Sequence, residues 1–352
     1  MLGVELTGEY IRRFVYSVTR RCYLDNTHCH YIDHCHDRRP GSECSMTAAM
    51  ERSENVISLR DQGTEEVSAR LLASAARLSR NAMTEIDWSK PMDPTKYGCS
   101  PEWSSLYGTA YWDELTEEQR ISVTRHEFAS IMNIGIWFEM ILQEMVIRDQ
   151  YLGDYHGSEF QFALTEVADE CRHSLMFAKA SEKMVGASYH PSKKVSRLGK
   201  IFMQTAKNEV AYAGILVAEE VLDVFQRGCM RDDRVLDFIR TVNEIHVLEE
   251  SRHMKFAREE VRDSLEGVSW ARRQFSAFAV AVGAYFIVTS LVQPKAFADA
   301  GLDVDRAVRE MRSNSHFHSM IRSSCAHLME FLDEVGLLTK PAMRYYRKAH
   351  ML

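Results

Sequence analysis

Apolar residues recur at helical spacing along most of the chain from about residue 65 onward. Thr116 and Gln119 can form a capping box, and two glutamates make the following turn acidic, so a long helix is predicted over about 117–151. Glycines or prolines bound further predicted helices over about 158–185, 195–227, 232–265, 269–293 and 303–336. Since no stretch alternates with a period of two, we predict an all-α fold.

One apolar run, residues 275–292, approaches the length of a membrane span. It contains no charged residue, but it includes Ser276, Thr289 and Ser290 and stands alone in the sequence. We interpret it as a helix of a bundle rather than a membrane anchor, and we expect no membrane partner.

The first 45 residues have a different character. Residues 25–45 contain four histidines and three cysteines without a helical apolar period. A zinc module is conceivable, but the closely spaced cysteine pairs typical of one are missing. We therefore interpret residues 1–45 as a disordered or irregular leader, or an extension upstream of a start at Met46 or Met50, and residues 46–352 as one domain.

Composition narrows the class of protein. The 352 residues are 45% hydrophobic, with few glycines and prolines (17 and 7), which suits a large helical core. The net charge of −7 argues against a nucleic-acid partner. Eight cysteines occur without a recognisable secretory signal, so we predict free thiols in a reducing cytoplasm.

A Glu-x-x-His motif occurs twice, as Glu170/His173 and as Glu250/His253, on two predicted helices. His246 lies one turn before Glu250, and the side chains of His246, Glu250 and His253 fall within about 60° of one another on the helix. Two such motifs, with one glutamate from each of two further helices, form the pattern of a carboxylate-bridged dimetal site in a helical bundle.

The two further glutamates come from the remaining long helices. Glu139 lies in a wholly apolar stretch, where a carboxylate without a partner would be costly. Glu144, its rival, is about 140° around the helix. On the other helix Glu219 and Glu220 are both surrounded by apolar residues, and periodicity alone does not separate them.

The chemistry of these residues favours iron. Four glutamates carry four negative charges, which balance two ferrous ions, and imidazole with carboxylate suits iron better than thiolate ligands would. A manganese–iron pair accepts the same donors. His246 is interpreted as a seventh ligand, with a core histidine behind the ligands as its alternative role.

These motifs resemble the diiron N-oxygenases typified by p-aminobenzoate N-oxygenase and the arylamine oxygenase of chloramphenicol biosynthesis. The 31-residue step from Glu139 to Glu170 matches the family's E-x28–37-D-E-x-x-H pattern, which Glu144 would not. The 27-residue step from Glu219 to His246 also fits and favours Glu219 over Glu220. His246 is the specific mark, since most ferritin-like diiron proteins have two histidines here. The resemblance extends over about residues 65–335.

The resemblance implies a ferritin-like, ribonucleotide-reductase-like helical bundle with extra helices, a homodimer, and two iron ions that react with O2. It implies a peroxo-diferric species that oxidises an amine, typically an arylamine, to hydroxylamine, nitroso or nitro products in natural-product biosynthesis, with electrons from a ferredoxin- or reductase-type donor. The implied metal ligands are Glu139, Glu170, His173, Glu219, His246, Glu250 and His253. Asp169, Arg172 and Arg252 could orient these ligands or be solvated.

Three other functions compete with this prediction. A diiron carbon hydroxylase or desaturase is distinguished only by His246. A ribonucleotide reductase small subunit would usually have a radical tyrosine where this chain has Phe177, and an iron store is usually a shorter chain.

The substrate stays open among small aromatic amines, free amino acids and carrier-bound amines. Trp137, Phe138, Phe177 and Tyr212 are candidates for lining its cavity. Three histidines on a later helix are expected at the surface rather than in a substrate pocket; they are His316, His318 and His327.

Overall fold

The computed structural model describes residues 63–352, and the predicted leader 1–45 lies outside them. The described part of the chain is helical with no β-strand, which confirms the all-α prediction. Four long helices form the centre of the fold: α4 (Glu117–Asp149), α5 (Ser158–Val185), α7 (Asn208–Arg231) and α8 (Asp237–Ser264). Helices α4 and α5 pack as one hairpin and α7 and α8 as another, and α5 also contacts α8.

Shorter helices surround this bundle. They are α1 (63–78), α2 (Ala82–Glu85), α3 (Ala110–Glu114), α6 (Lys193–Thr205), α9 (Trp270–Val288), α10 (Pro294–Asp299), α11 (Val304–Ser313), α12 (Ser315–Ser324), α13 (Ala326–Glu334) and α14 (Lys340–Lys348). Helix α9 lies against α7 and α14.

The start of α4 has the predicted capping box. The Thr116 side chain accepts a hydrogen bond from the Gln119 backbone N–H, and the Gln119 side chain accepts one from the Thr116 backbone N–H. The start of α5 is stabilised differently, because its N-cap is Gly157. The Glu65 carboxylate of α1 accepts hydrogen bonds from the N–H groups of Ser158 and Glu159.

The predicted single helix over 195–227 is wrong. It is divided into α6 and α7, and Asn208 begins α7 with a positive φ of 48°. Arg148 of α4 stabilises the break by donating hydrogen bonds to the carbonyl groups of Met203 and Ala206. Gly228 does not end the helix as predicted. It lies inside α7, where an added Cβ would be 2.9 Å from the Trp103 ring nitrogen.

The predicted helix over 303–336 is also divided, because Asn314 ends α11 and caps α12. Its side chain accepts hydrogen bonds from the backbone of His316 and donates to the carbonyl groups of Ser105 and Tyr107. The last part of the predicted helix forms α13, and Gly336 follows it with a φ of 72°, as predicted for a helix C-terminus.

Residues 275–288 of the predicted apolar run lie in α9, which ends four residues before the run does and is buried along one face only, with Phe275 and Phe278 exposed. Within residues 63–352, one helical stretch is long and apolar enough to cross a membrane, and it is Glu117–Leu152 instead. Just over half of its most apolar window, 56%, is buried in the fold. Its apolar character therefore has an explanation in core packing.

Candidate metal centre

The four central helices bring seven acidic and histidine side chains together in the interior. Helix α4 contributes Glu139 and α7 contributes Glu219, while α5 and α8 contribute the two Glu-x-x-His motifs. All seven side chains are buried. Donor atoms lie within 4.8 Å of one another in overlapping groups: Glu139, His173 and His246; Glu170, His173 and Glu250; Glu219, His246 and Glu250. A fourth group joins Glu170 and His253 to Glu166.

Glu170 and Glu250 occupy the middle of the cluster. The Nδ1 atom of His173 is 3.1 Å from Glu170 Oε2 and 3.0 Å from Glu250 Oε1. The Nδ1 atom of His253 is 2.9 Å from Glu170 Oε1 and 3.1 Å from Glu250 Oε2. Each carboxylate therefore faces both imidazoles, and the two Glu-x-x-His motifs meet in the middle of the cluster.

Glu139 and His246 lie beside this pair. Glu139 Oε2 accepts a 2.5 Å hydrogen bond from Ser174, whereas Oε1 has no hydrogen-bond partner and is 3.9 Å from His246 Nε2. The Nδ1 atom of His246 is 2.9 Å from the side-chain oxygen of Gln226. If Nδ1 carries the proton and donates it to Gln226, Nε2 faces the cluster with a free lone pair.

The structure separates the paired candidates that the sequence left open. Glu219 lies in the cluster, whereas Glu220 accepts hydrogen bonds from Arg258 at 2.5 and 3.0 Å. On α4, Glu139 is buried and Glu144 is exposed. The cluster thus includes the two glutamates that the family spacing favours.

Carboxylates behind the cluster contact the outer nitrogens of the two motif histidines. His173 Nε2 is 2.8 Å from Glu249, and His253 Nε2 is 3.2 Å from Asp169. Each of these carboxylates belongs to the opposite helix from the histidine it contacts. Such contacts fix ring orientation and increase the basicity of a ligating imidazole.

Both arginines singled out in the sequence contact these carboxylates. Arg172 forms an ion pair with Asp169, and Arg252 lies 3.6 Å from Asp169 and 3.7 Å from Glu249. The side chain of Arg252 is 4% exposed and that of Arg172 34%, so only Arg252 is fully enclosed.

Glu249 and Glu166 were missed by sequence reasoning. Both are fully buried, and Glu166 lies one turn before Glu170 on α5. The sequence signal that could have found them is their place in a repeated spacing. Residues 166, 169, 170 and 173 have the same spacing as residues 246, 249, 250 and 253.

The electrostatics of the cluster are those of a site short of positive charge. Burial and the neighbouring carboxylates raise the pKa of Glu139 and of Glu219 well above the usual value. Burial opposes a charge on His173 and His253, yet the carboxylates outweigh it and raise the pKa of both imidazoles well above normal. Burial lowers the pKa of His246 to about 4, so this histidine is neutral at physiological pH.

These observations fit two divalent metal ions. The buried Oε1 atom of Glu139 has no hydrogen-bond partner. A buried oxygen of this kind is costly unless a cation or donor satisfies it. Four carboxylates and three imidazoles, with no thiolate in the cluster, are donors that suit iron or manganese.

The sequence model of the P-aminobenzoate N-oxygenase AurF family matches residues 61–336, which is more than half of the chain. The chain belongs to the AurF family. AurF-family proteins are diiron enzymes with a ferritin-like helical fold, and the buried clusters of this chain are compatible with that cofactor. Membership supports an oxygenase and confirms the family that the motifs resembled.

The names of the relatives described here do not indicate an activity. The chain is 26% identical over 260 residues to the uncharacterized protein Rv0885 of Mycobacterium tuberculosis, an alignment that covers 70% of this chain and 74% of the relative. The uncharacterized protein Mb0909 of Mycobacterium bovis matches with the same identity and coverage. The family assignment therefore depends on the AurF model rather than on these relatives.

Proposed function

We propose that the protein is a diiron N-oxygenase that uses O2 to oxidise the nitrogen of an apolar amine, with an arylamine as the expected substrate. The observation that carries this proposal is the buried cluster of four glutamates and three histidines on the central helices. Glu139, Glu170, Glu219, Glu250, His173, His246 and His253 would hold the two ions, which would supply the binding and reduction of O2.

The first oxidation balances with an external electron donor. An amine, O2, two electrons and two protons give a hydroxylamine and water, with one oxygen atom bonded to nitrogen. We expect a ferredoxin- or reductase-type protein to supply the electrons. Further oxidation would give nitroso and nitro products in natural-product biosynthesis, and the oxygen species expected from the family resemblance stays a prediction.

An apolar cavity of about 280 Å³ supports the choice of substrate. Two of its lining residues lie one helical turn from proposed ligands, since Leu142 follows Glu139 by three residues and Ile215 precedes Glu219 by four. Trp137, Phe138, Phe202 and Phe286 contribute aromatic walls, while Tyr212 and Phe177 are not among the residues that line it. Phe177 packs instead against His246, with ring centroids 4.8 Å apart.

The polarity of the cavity argues against an acidic substrate. Among the described residues that line it, none is lysine, arginine or histidine, and Thr205 carries the one hydroxyl group. A carboxylate in this space would be desolvated without a partner. We therefore expect a neutral amine to react better than p-aminobenzoate.

Metal analysis and product analysis test the proposal together. Metal-free protein is loaded with Fe2+ under anaerobic conditions, mixed rapidly with O2 and followed by visible absorption, and then given aniline or p-aminobenzoate. We expect two irons per chain, a transient absorption band that the amine shortens, and an N-oxygenated product. Protein that binds no iron would contradict the proposal, and so would an oxygen reaction that leaves every amine unchanged.

The shape of the cavity gives a second test. Ala279 lines it from α9, so Ala279→Phe should narrow the space and raise the KM for an aniline substrate by about 10-fold. Iron content should stay at the wild-type level. Ala271→Phe on the exposed part of the same helix is the matched control. Equal KM values for the two variants would show that the amine binds elsewhere.

A carbon hydroxylase or desaturase is the second candidate, because the same apolar walls would accept a hydrocarbon chain. The two functions differ in their product. Incubation with O2, electron donor and either an arylamine or a fatty acyl compound distinguishes oxygen bonded to nitrogen from a hydroxylated or desaturated carbon chain.

We also propose a cytoplasmic homodimer. Free thiols at all four described cysteines support a reducing compartment. Exposed apolar residues of α4 and α5, among them Met140, Ile147 and Leu175, support pairing of a second copy along these helices. Sedimentation equilibrium should give twice the chain mass of 40.5 kDa.

A further inference from the structure

Glu166 is a buried carboxylate that the proposed ligand set does not use. Its side chain is fully enclosed, with 0% exposure, and neither carboxylate oxygen has a hydrogen-bond partner. An unpartnered carboxylate in an apolar interior is costly unless it is protonated or meets a cation. The side chain therefore needs an explanation beyond packing.

The position of Glu166 points to a cation. One of its oxygens, one oxygen of Glu170 and one nitrogen of His253 all lie within 4.8 Å of one another. The four-residue step from Glu166 to Glu170 puts both carboxylates on the same side of α5. Glu166 thus extends the metal cluster by one helical turn toward the N-terminus of α5.

Glu260 lies within electrostatic reach of both Glu166 and Asp149. We call Glu166, Glu260 and Asp149 the acidic file. Glu260 of α8 is buried and has one oxygen without a hydrogen-bond partner. Asp149 at the exposed end of α4 accepts a 2.8 Å hydrogen bond from the Tyr212 hydroxyl group.

Electrostatics link the members of the acidic file. Burial raises the pKa of Glu260 to about 9, and the carboxylates of Asp149 and Glu166 add to the rise. The same three acidic groups act on the buried hydroxyl of Tyr212. These mutual effects indicate that the members of the file lie near one another, and a divalent cation there would favour the charged form of each carboxylate.

We propose that Glu166 is a transient metal-binding residue, which receives Fe2+ from the acidic file and passes it to Glu170 and His253. This inference rests on the proposed diiron function. Carboxylate oxygen is a suitable donor for Fe2+ along the whole route, and no change of oxidation state is involved. A position four residues from a ligand allows the ion to gain Glu170 and His253 before it leaves Glu166.

The rate of metal uptake tests the proposal without depending on oxygenase activity. Metal-free full-length protein is mixed with Co2+, which is followed by its visible absorption in a stopped-flow instrument. Glu166→Gln should slow uptake by about 10-fold, because Gln keeps the shape and loses the charge. Asp149→Asn and Glu260→Gln should slow it less, and the final content should stay at two ions per chain in every variant.

Two variants serve as controls. Glu182→Gln removes an exposed carboxylate from the same helix and should load at the wild-type rate. Glu166→Asp keeps a carboxylate and should load faster than Glu166→Gln. Circular dichroism of each metal-free variant checks that the helices are intact.

The outcomes separate this inference from the proposed function. Wild-type protein that binds neither Co2+ nor Fe2+ would contradict the diiron function itself. If wild-type protein loads and Glu166→Gln loads equally fast, Glu166 is a neutral buried acid and the inference is wrong. If Glu166→Gln holds only one ion after long incubation, Glu166 is a permanent ligand, which also contradicts a transient role.

Discussion

Helices α5 and α8 contain two copies of one spacing pattern, and the copies have different residue types one turn before the shared glutamate. Both have an acidic residue, a glutamate, an arginine and a histidine at equal spacing, from Asp169 to His173 and from Glu249 to His253. One turn earlier, α5 has Glu166 where α8 has His246. The shared positions lie at the middle of the cluster, and we propose a separate role for the unlike position of each copy.

The shared positions connect the two helices to each other. The acidic residue of each copy contacts the histidine of the other copy, as Glu249 contacts His173 and Asp169 contacts His253. Substitution of the acidic residue in one helix should therefore alter the orientation of the histidine in the opposite helix.

The residue one turn before the shared glutamate is an imidazole on α8 and a carboxylic acid on α5. His246 is neutral and faces the cluster beside Glu139, whereas Glu166 begins the acidic file. If the proposals above hold, one side of the centre would complete a ligand set and the other side would meet incoming cations.

The largest expected effect comes from removing a shared carboxylate. Glu250→Ala deletes a side chain that faces both His173 and His253, so we expect iron content to fall from two to below about one per chain, together with N-oxygenation. Iron analysis after gel filtration measures this. Glu144→Ala, an exposed glutamate of α4, should keep both irons. A Glu250→Ala protein with two irons would refute its role as a ligand.

An intermediate effect is expected from the crossed contacts. Glu249→Gln and Asp169→Asn should each weaken metal affinity by 10- to 100-fold, roughly the cost of losing an orienting carboxylate. Competition with a chromophoric chelator measures the affinity. Equal losses in the two variants would support crossed stabilisation. No loss in either would mean that the histidines are oriented without these carboxylates.

A smaller effect is expected at the unlike position of α8. His246→Gln should retain two irons but weaken affinity by about 10-fold, since the other six side chains remain. Because the pKa of His246 is already lowered to about 4, this loss should not depend on pH between 6 and 8. Unchanged affinity would assign His246 to a position behind the ligands.

The smallest effect concerns a buried carboxylate outside both copies. Burial raises the pKa of Glu127 to about 7, although Ser105 donates hydrogen bonds to it. A folded-state pKa above the unfolded value of about 4.5 means that Glu127 costs stability as pH rises from 4.5 to 7. The Tm of Glu127→Gln should therefore exceed that of wild type by a difference that grows to a few degrees as pH rises from 4.5 to 7, measured on metal-free protein. A pH-independent difference would contradict the shift.

Sequence reasoning predicted α4, α5 and α8 well because their signals are local. The capping box at Thr116 and the glycine after α5 each lie within one helical turn of the end they specify. The break between α6 and α7 depends on Arg148, which is far away in the sequence. No periodicity in residues 195–227 could show that contact.

The same difference between local signals and long-range contacts explains which site residues could be predicted. Glu139 and the two motifs could be predicted because burial and spacing are visible along single helices. Periodicity left Glu219 and Glu220 open and the family spacing favoured Glu219, whereas the structure separates them by the partner of Glu220, which is Arg258 on another helix. Glu249 was missed because an acidic residue beside a ligand is usually solvated, and its contact with His173 arises only from packing.

The turn after α1 has a practical consequence for shortening the chain. Ser79 and the backbone N–H of Arg80 both donate hydrogen bonds to Glu249, and Arg172 donates one to Ser79. Residues 63–80 look dispensable from their position before the central helices. A fragment that starts after residue 80 would nevertheless expose Glu249 and the outer face of the candidate metal centre to water, so any shortened form of the protein should retain this turn.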